Sequence, residues 1–506
     1  MSLSEWRLDF TRYRRWIVGA LAARQRLKAR TKLTFAVLIF FLAFSVRALH
    51  AVDLAPLMYT SEQPFSGLTE GYDRRAVSIQ RGEGILGPYD IDPADTTWIT
   101  QAPGYSVFLS SVYAIFGRDF FSVQLVQNLV NSLPAVLIFL IAGSIVSWRV
   151  GVASGVLAAL SHHFAHISNF ILPDAMHALP VLAAIYLLIL ARPAHHAYWL
   201  YAAAGLMLGL ASWLRAQTML LGLFLVVMLA IINSRRWFMI KRAAVTAMIS
   251  LLAIAPITIR NYVVYSEFIP IQVGIGLNLW EGIADASGDR FGAVKLDTEV
   301  ATQEAESYGD PRYAGSWTTP DGIKRDRDRT RKSLAVILQH PMWYAGVMAN
   351  RCAEMLKYSA HAPLALTISQ ASSRERSAPI KPGWRTITPD IIPKPGSLAI
   401  GESIFWMRPA VRGLQRVVKE VMLGFIILGA IILFAASRRR ALFISIVPLY
   451  YFLFQSAMHT EFRYTLPMQY FMFVFAATVW VLIGVGVVNV IRLFFYKKVS
   501  PAPTID

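Results

Sequence analysis

Long apolar runs separated by polar segments recur along the chain, and their lengths set its architecture. A helix needs about 20 mainly apolar residues to cross roughly 30 Å of hydrocarbon, and about ten runs approach that length. They fall at 33–52, 121–146, 149–168, 173–192, 198–214, 216–233, 243–259, 417–436, 441–457 and 466–492. The pattern predicts an all-α polytopic membrane protein. The polar segments between the runs are unequal. Those at 53–120 and 260–416 are long, whereas those near Ser168 to Leu172, near Arg215 and near His459 to Tyr464 are short. All of these lie on alternate connections and so on one face, which makes that face the working surface.

Charge orients the chain. Arg7, Arg12, Arg14, Arg15, Arg24, Arg26, Lys28, Arg30 and Lys32 crowd the N-terminal arm, and further basic clusters stand at Arg235, Arg236, Lys241 and Arg242, at Arg438 to Arg440, and at Lys497 and Lys498. By the positive-inside rule these face the cytoplasm, which puts both termini inside and the long polar segments outside a plasma (inner) membrane. The net charge of +18 therefore belongs to membrane topology, and no nucleic-acid partner is expected. The apolar run Trp16 to Ala23 is too short to span and reads as an interfacial helix. The expected division is a basic cytoplasmic arm at 1–32, a transmembrane catalytic module at 33–259 with its external loop at 53–120, an external loop domain at 260–416, C-terminal transmembrane helices at 417–492 and a cytoplasmic tail at 493–506.

Composition agrees: 55% hydrophobic residues exceed the roughly 45–50% of a soluble globule. Cys352 is the only cysteine, which excludes an intramolecular disulfide. Within the first external loop, Tyr105 to Gly117 is apolar but only about a dozen residues long, so it should lie at the interface or re-enter partway, with Pro103 and Gly104 starting its helix.

The candidate chemistry gathers at the outer ends of the runs: Glu70 and Asp73, then Asp174, Arg215, Arg260, and Glu461 with Arg463 and Tyr464. Arginine suits phosphate through paired, charge-assisted hydrogen bonds, and a carboxylate suits deprotonation of a hydroxyl or ligation of a metal. Together they fit a lipid-phosphate donor and a hydroxyl or amine acceptor. The competing roles are a snorkelling anchor for each arginine and a solvated loop acid for Glu70 or Asp73. Asp174 stands apart, because its loop between two apolar runs holds little else that is polar. His162 and His166 share a helix face with His163 between them and His177 nearby, a spacing that can bind metal; hydrogen-bonded interfacial histidines are the preferred reading.

The run TEGYDRRAVSIQRGEGI and the later APGYSVFLSSVYAIFG resemble the first outer loop of polyprenyl-phosphate-sugar-dependent glycosyltransferases of the GT-C fold, protein mannosyltransferase-like and aminoarabinose-transferase-like. FILPDA, LGLASWLRAQT, PITIRNYVVYSEFIPIQVGIGLNLWEG and EFRYTLP follow in the order seen in that family. The resemblance implies a GT-C-like fold and transfer with inversion at a sugar carbon carried on a polyprenyl phosphate. It further implies an acid of the first outer loop as catalytic base or metal ligand, assisted by an acid of the second short loop. Those positions are Glu70 or Asp73, with a lean to Asp73, and Asp174. Leu68 stands where many relatives place the first-loop acid, and Gln101, Ala102 and Pro103 replace the lysine and prolines of the aminoarabinose-transferase-like group.

On this reading some of Arg74, Arg215, Arg260 and Arg463 hold the donor phosphate, and Tyr72, Tyr105, Asn278, Glu461 and Tyr464 line the substrate cavity. Asn278, Trp280 and Glu281 stand at its entrance. Asp174 orients the acceptor, holds a divalent metal ion or raises the pKa of the base; no other cofactor is implied. The partners are the lipid-linked donor, membrane lipid, and a glycan, lipid or protein acceptor. The alternative is a transporter or flippase of lipid-linked sugars, which would predict polar or broken helices near the midplane.

Overall fold

A computed structural model of the chain describes residues 27–58, 67–191, 198–233, 236–357 and 407–499. The expected interfacial helix at Trp16 to Ala23, residues 371–398 and the end of the tail lie outside the described residues. Among those described, the regular structure is entirely helical. In chain order the helices are α1 (Ala29–Met58), α2 (Gly67–Gln80), α3 (Gly104–Phe116), α4 (Phe120–Ile145), α5 (Trp148–Leu160), α6 (His162–Ile167), α7 (Ala178–Ala191), α8 (Tyr198–Leu214) and α9 (Leu221–Ile232). They continue with α10 (Arg236–Tyr265), α11 (Ile275–Ser287), α12 (Asp297–Tyr308), α13 (Gly322–Gln339), α14 (Pro341–Leu356), α15 (Met407–Ala436), α16 (Arg438–Phe454) and α17 (Leu466–Val499).

Every apolar run of the sequence coincides with helix, but among the described residues only α1, α4, α10, α15 and α17 carry segments long and apolar enough to cross a membrane. The count of ten is not reached by length because several runs are broken. The run 149–168 divides at Ser161, whose backbone leaves the helix and whose hydroxyl accepts from the Phe164 amide to begin α6. The resulting α5 has 13 residues and covers about 20 Å. The run 216–233 opens as a 3-10 turn at Ala216–Thr218, so α8 and α9 meet at a bend beside Arg215.

Local chemistry explains where α3 and α4 begin and end. Pro103 caps α3 and Gly117, at φ 76°, ends it in a conformation that favours glycine. Asp119 starts α4 by accepting from the amides of Phe121 and Ser122 at 3.3 and 2.8 Å. The main apolar core joins α4, α5, α7, α8, α16 and α17. Backbones approach closely where side chains are smallest: a Cβ at Gly205 would lie 2.5 Å from the Thr246 carbonyl oxygen, which sets α8 directly against α10. At Gly104 it would lie 2.7 Å from the Trp213 carbonyl oxygen, which seats α3 on the end of α8.

Beyond α10, helices α11, α12 and α14 enclose a small apolar cluster of Leu277, Trp280, Ile283, Val300, Tyr344 and Val347. Glu304 of α12 ties this unit to α13 through buried ion pairs with Arg325 and Arg329 at 2.7 and 2.9 Å.

Candidate active site

The site is built on the turn 168–177, between α6 and α7, and the turn is held from below by a polar stripe on α4. Gln124, Gln127 and Asn128 share one face of that helix and are fully buried. Gln127 donates to the carbonyls of Ser168 and Phe170, both at 2.7 Å, and Gln124 donates to Asn169 at 2.8 Å. The Tyr105 hydroxyl donates to Gln127 at 2.5 Å and so fixes the amide orientation. From the other side Arg47 donates to Ser168 at 3.2 Å. Buried polar groups must be paired, and here that pairing holds in place the turn that presents Asp174.

Asp174 is 1% exposed and pairs through Oδ1 with the guanidinium of Arg215, which projects from the bend between α8 and α9. Its other oxygen, Oδ2, is buried and has no hydrogen-bond partner among the described residues. The Arg215 guanidinium lies 4.5 Å from the Tyr464 ring centre, and that of Arg463 lies 4.9 Å from the same ring. Arg463 pairs with Glu461, Nε to Oε2 at 2.6 Å and Nη2 to Oε1 at 3.2 Å. Gln217 donates to the Tyr464 carbonyl at 2.7 Å, linking the two arginine-bearing turns.

Behind Glu461 stands His459. Its Nδ1 lies 2.5 Å from Asp285 of α11, its Nε2 lies 3.5 Å from Glu461, and its backbone amide donates to the Asn278 carbonyl at 2.9 Å. Burial disfavours the imidazolium, but the two carboxylates outweigh it and hold the His459 pKa up at about 9. For Glu461 burial acts upward, and Arg463 with His459 overcome it to pull the carboxyl down to about 2. Both groups are charged at neutral pH.

These side chains face a cavity of about 270 Å³ whose walls include Tyr72, Gln101, Asp174, Arg215, Asn278, Glu281, Trp317, His459, Glu461, Arg463 and Tyr464. Tyr72 comes from α2 and packs edge-on against Tyr105 at 5.3 Å between ring centres. Burial raises its phenol above the ordinary value despite the nearby Arg215, so it stays a hydrogen-bond donor. Arg75 donates to the carbonyls of Gln101 and Trp98 at 2.7 and 2.6 Å and holds that stretch against the cavity.

Of the residues singled out by sequence, the structure brings together Tyr72, Asp174, Arg215, Asn278, Glu461, Arg463 and Tyr464, with Glu281 beside them. It places the others elsewhere. Asp73 follows Tyr72 and so points about 100° away around α2. It accepts from the Tyr113 hydroxyl at 2.8 Å and from Arg118 Nε and Nη2 at 3.0 and 2.7 Å. Glu70 and Arg74 pair with each other at 3.0 Å on the exposed face of α2. Arg260 is buried and donates to the Pro88 carbonyl at 2.8 Å, bracing the segment between α2 and α3. Tyr105 stands one layer behind the wall, and Trp280 turns into the apolar cluster, donating to Gln303 at 3.2 Å. The His162 and His163 rings lie 3.9 Å apart between centres, tilted by 39° to each other. Among the described residues no group of three or more His, Cys, Asp or Glu is arranged to hold a metal ion.

Sequence reasoning did not single out His459, Gln101, Trp317, Arg47 or the α4 stripe as parts of the site. The stripe carried a signal, since carboxamides at i, i+3 and i+4 in an apolar run are costly unless they serve a buried partner.

The fold is of the GT-C type, the architecture of membrane glycosyltransferases. Within it, residues 100–259 match the family model of dolichyl-phosphate-mannose-protein mannosyltransferases, a stretch that includes Asp174 and Arg215. The apo crystal structure of the Archaeoglobus fulgidus oligosaccharyltransferase superposes with a TM-score of 0.52 at 15% identity, covering 95% of this chain and 53% of that one. This chain thus spans about half the length of that enzyme. The Archaeoglobus fulgidus oligosaccharyltransferase AglB in complex with an inhibitory peptide and a dolichol-phosphate gives 0.49 at 12% identity, covering 94% of this chain and 52% of that one. ArnT from Cupriavidus metallidurans, bound to undecaprenyl phosphate, gives 0.37 at 15% identity, covering 89% and 77%. No curated protein matches the sequence.

Proposed function

We propose that this chain is an inverting glycosyltransferase that moves a sugar from a polyprenyl-phosphate donor to a hydroxyl or amine of an envelope glycan, lipid or protein on the outer face of the plasma membrane. The observation that carries the reading is the Asp174 carboxylate, with one oxygen on Arg215 and the other buried and free, beside a second arginine on the same cavity. The match of residues 100–259 to a polyprenyl-phosphate-dependent family supports the donor class.

Asp174 takes the base role that the sequence reading gave to Glu70 or Asp73. Its free oxygen accepts the acceptor proton as the acceptor heteroatom bonds to the anomeric carbon. The bond from that carbon to the phosphate oxygen breaks on the opposite side, and the phosphate departs with the bonding electrons. Arg215 and Arg463 offset its growing charge with oriented N–H groups. Tyr72 and Asn278 are placed to position sugar hydroxyls. Gln124 and Gln127 of α4 are spent on the 168–177 turn, which supports a fixed site on that helix and favours transfer over a flippase.

The test is sugar transfer by purified protein from a labelled polyprenyl-phosphate sugar into a membrane lipid and glycan extract. Asp174→Asn should abolish transfer while Glu70→Gln retains it. Wild-type transfer by Asp174→Asn would overturn the mechanism, and lipid translocation without sugar transfer would establish the transporter.

A further inference from the structure

We infer that His459 is a positioning residue that sets the cavity's affinity for phosphate, by holding Glu461 when Arg463 turns to the phosphate group. The inference rests on the donor-phosphate reading above. Glu461 and a phosphate compete for the same cation, because Arg463 already pairs with Glu461, its Nη2 donating to Oε1 at 3.2 Å and its Nε lying 2.6 Å from Oε2. A phosphate that draws Arg463 away would leave a carboxylate, only 10% exposed, beside a second anion. Like charges held close together at a buried carboxylate oppose binding strongly.

His459 removes that obstacle. Its ring lies between Asp285 at 2.5 Å and Glu461 at 3.5 Å, so a protonated imidazole gives Glu461 a second cation. With the imidazolium present, the charges of Asp285, His459, Glu461 and Arg463 sum to zero. With neutral imidazole they sum to minus one, and a phosphate dianion is repelled. The other groups facing this loop do not take over the role. Arg351 is spent on the carbonyls of Ser456 and Gly282, and Arg215 is committed to Asp174. Glu281, an acid on the same wall, supplies no cation, and the Tyr464 ring lies 6.5 Å from His459. The proton on His459 persists to about pH 9, so the arrangement operates at neutral pH.

The test is binding of a long-chain polyprenyl phosphate, without sugar, to the full-length protein in zwitterionic lipid nanodiscs, with inorganic phosphate in a parallel series. Titration from about pH 7.5 to 10 stays above the second pKa of the lipid phosphate monoester, near 6, and the inorganic phosphate series, whose second pKa lies about one unit higher, is read from about pH 8.5 upward. Wild-type affinity should hold at the lower end and fall about tenfold through about pH 9. His459→Gln should bind about tenfold more weakly at pH 7.5 with no fall, and Glu461→Gln introduced on top should restore wild-type affinity. A purely structural role for His459 would not be rescued in this way. Asp285→Asn should move the fall to lower pH, and it carries the test if His459→Gln does not fold. Wild-type affinity in His459→Gln, failure of the rescue, or an unmoved midpoint in Asp285→Asn would each overturn the inference alone. No binding of either phosphate by the wild type at any pH would overturn the donor-phosphate reading as well.

Discussion

Replacing Asp73 with asparagine separates two roles that the sequence leaves open and that the geometry divides sharply. Asp73 is 7% exposed at its side chain and accepts from Tyr113 and from Arg118 Nε and Nη2. Arg118 is 49% exposed, so solvent already screens the ion pair and rehydrates the guanidinium when the charge is lost. Asparagine keeps one oxygen for the Tyr113 hydroxyl. What disappears is the charge assistance and one of the arginine contacts, which together should cost about 1–3 kcal/mol of stability. Because the carboxylate faces Arg118 and not the cavity, kcat/KM per folded molecule should change less than about threefold, roughly 0.6 kcal/mol in barrier height. Denaturant unfolding in detergent gives the first quantity and donor-dependent transfer kinetics the second. A loss of a hundredfold or more in kcat/KM with unchanged stability would refute the reasoning and return Asp73 to the chemistry.

Asp174→Asn should lower kcat by about 10²–10⁴, the usual worth of a positioned general base, while the donor KM does not rise; steady-state kinetics at saturating acceptor would expose the idea if kcat survived. Gln127→Leu leaves the buried carbonyls of Ser168 and Phe170 without their donor, which should cost on the order of 3 kcal/mol and lower kcat/KM by loosening the turn that carries Asp174. An unfolding midpoint and rate both equal to wild type would count against that support. The Glu461 and His459 pair should give stability a pH window. Glu461 is held at about 2 against an ordinary 4.5, so its contribution is complete above pH 4.5 and lost as pH falls toward 2. His459 is held at about 9 against 6.5, so its contribution is complete below pH 6.5 and lost as pH rises through 9. Stability measured from pH 3 to 10 should plateau near pH 5–6.5, and His459→Gln should flatten the alkaline limb; an unchanged limb would show that the loss comes from other groups.

How far the site was legible follows from how tightly the chain is constrained at each point. Asp174, Arg215 and Arg463 stand on short turns between apolar helices. A turn of that kind leaves a side chain little freedom, and alternating connections put all three on the same face, so reading them together required only the order of apolar runs. The long segment between α1 and α4 offers no such constraint. Its acids stand on α2, and choosing among them requires the rotation of that helix about its axis, since adjacent positions differ by about 100°. Alternation of apolar and polar residues does not supply it, because Asp73 is buried as a partner of Arg118 and Tyr113 while its aromatic neighbour Tyr72 faces the cavity. A buried carboxylate and a catalytic one look alike in sequence; they differ in whether an arginine consumes both oxygens or leaves one free. The pairing of His459 with Asp285 was beyond reach for a different reason, since 174 residues separate them and only the packing of α11 against the α16–α17 turn joins them. The α4 stripe could have been found. Gln124, Gln127, Asn128 and Asn131 recur at helical spacing inside a mainly apolar run, and the cost of burying carboxamides there calls for polar groups to satisfy them. The nearest irregular backbone on the same side is the Asp174 turn, so the stripe and the acid imply one another.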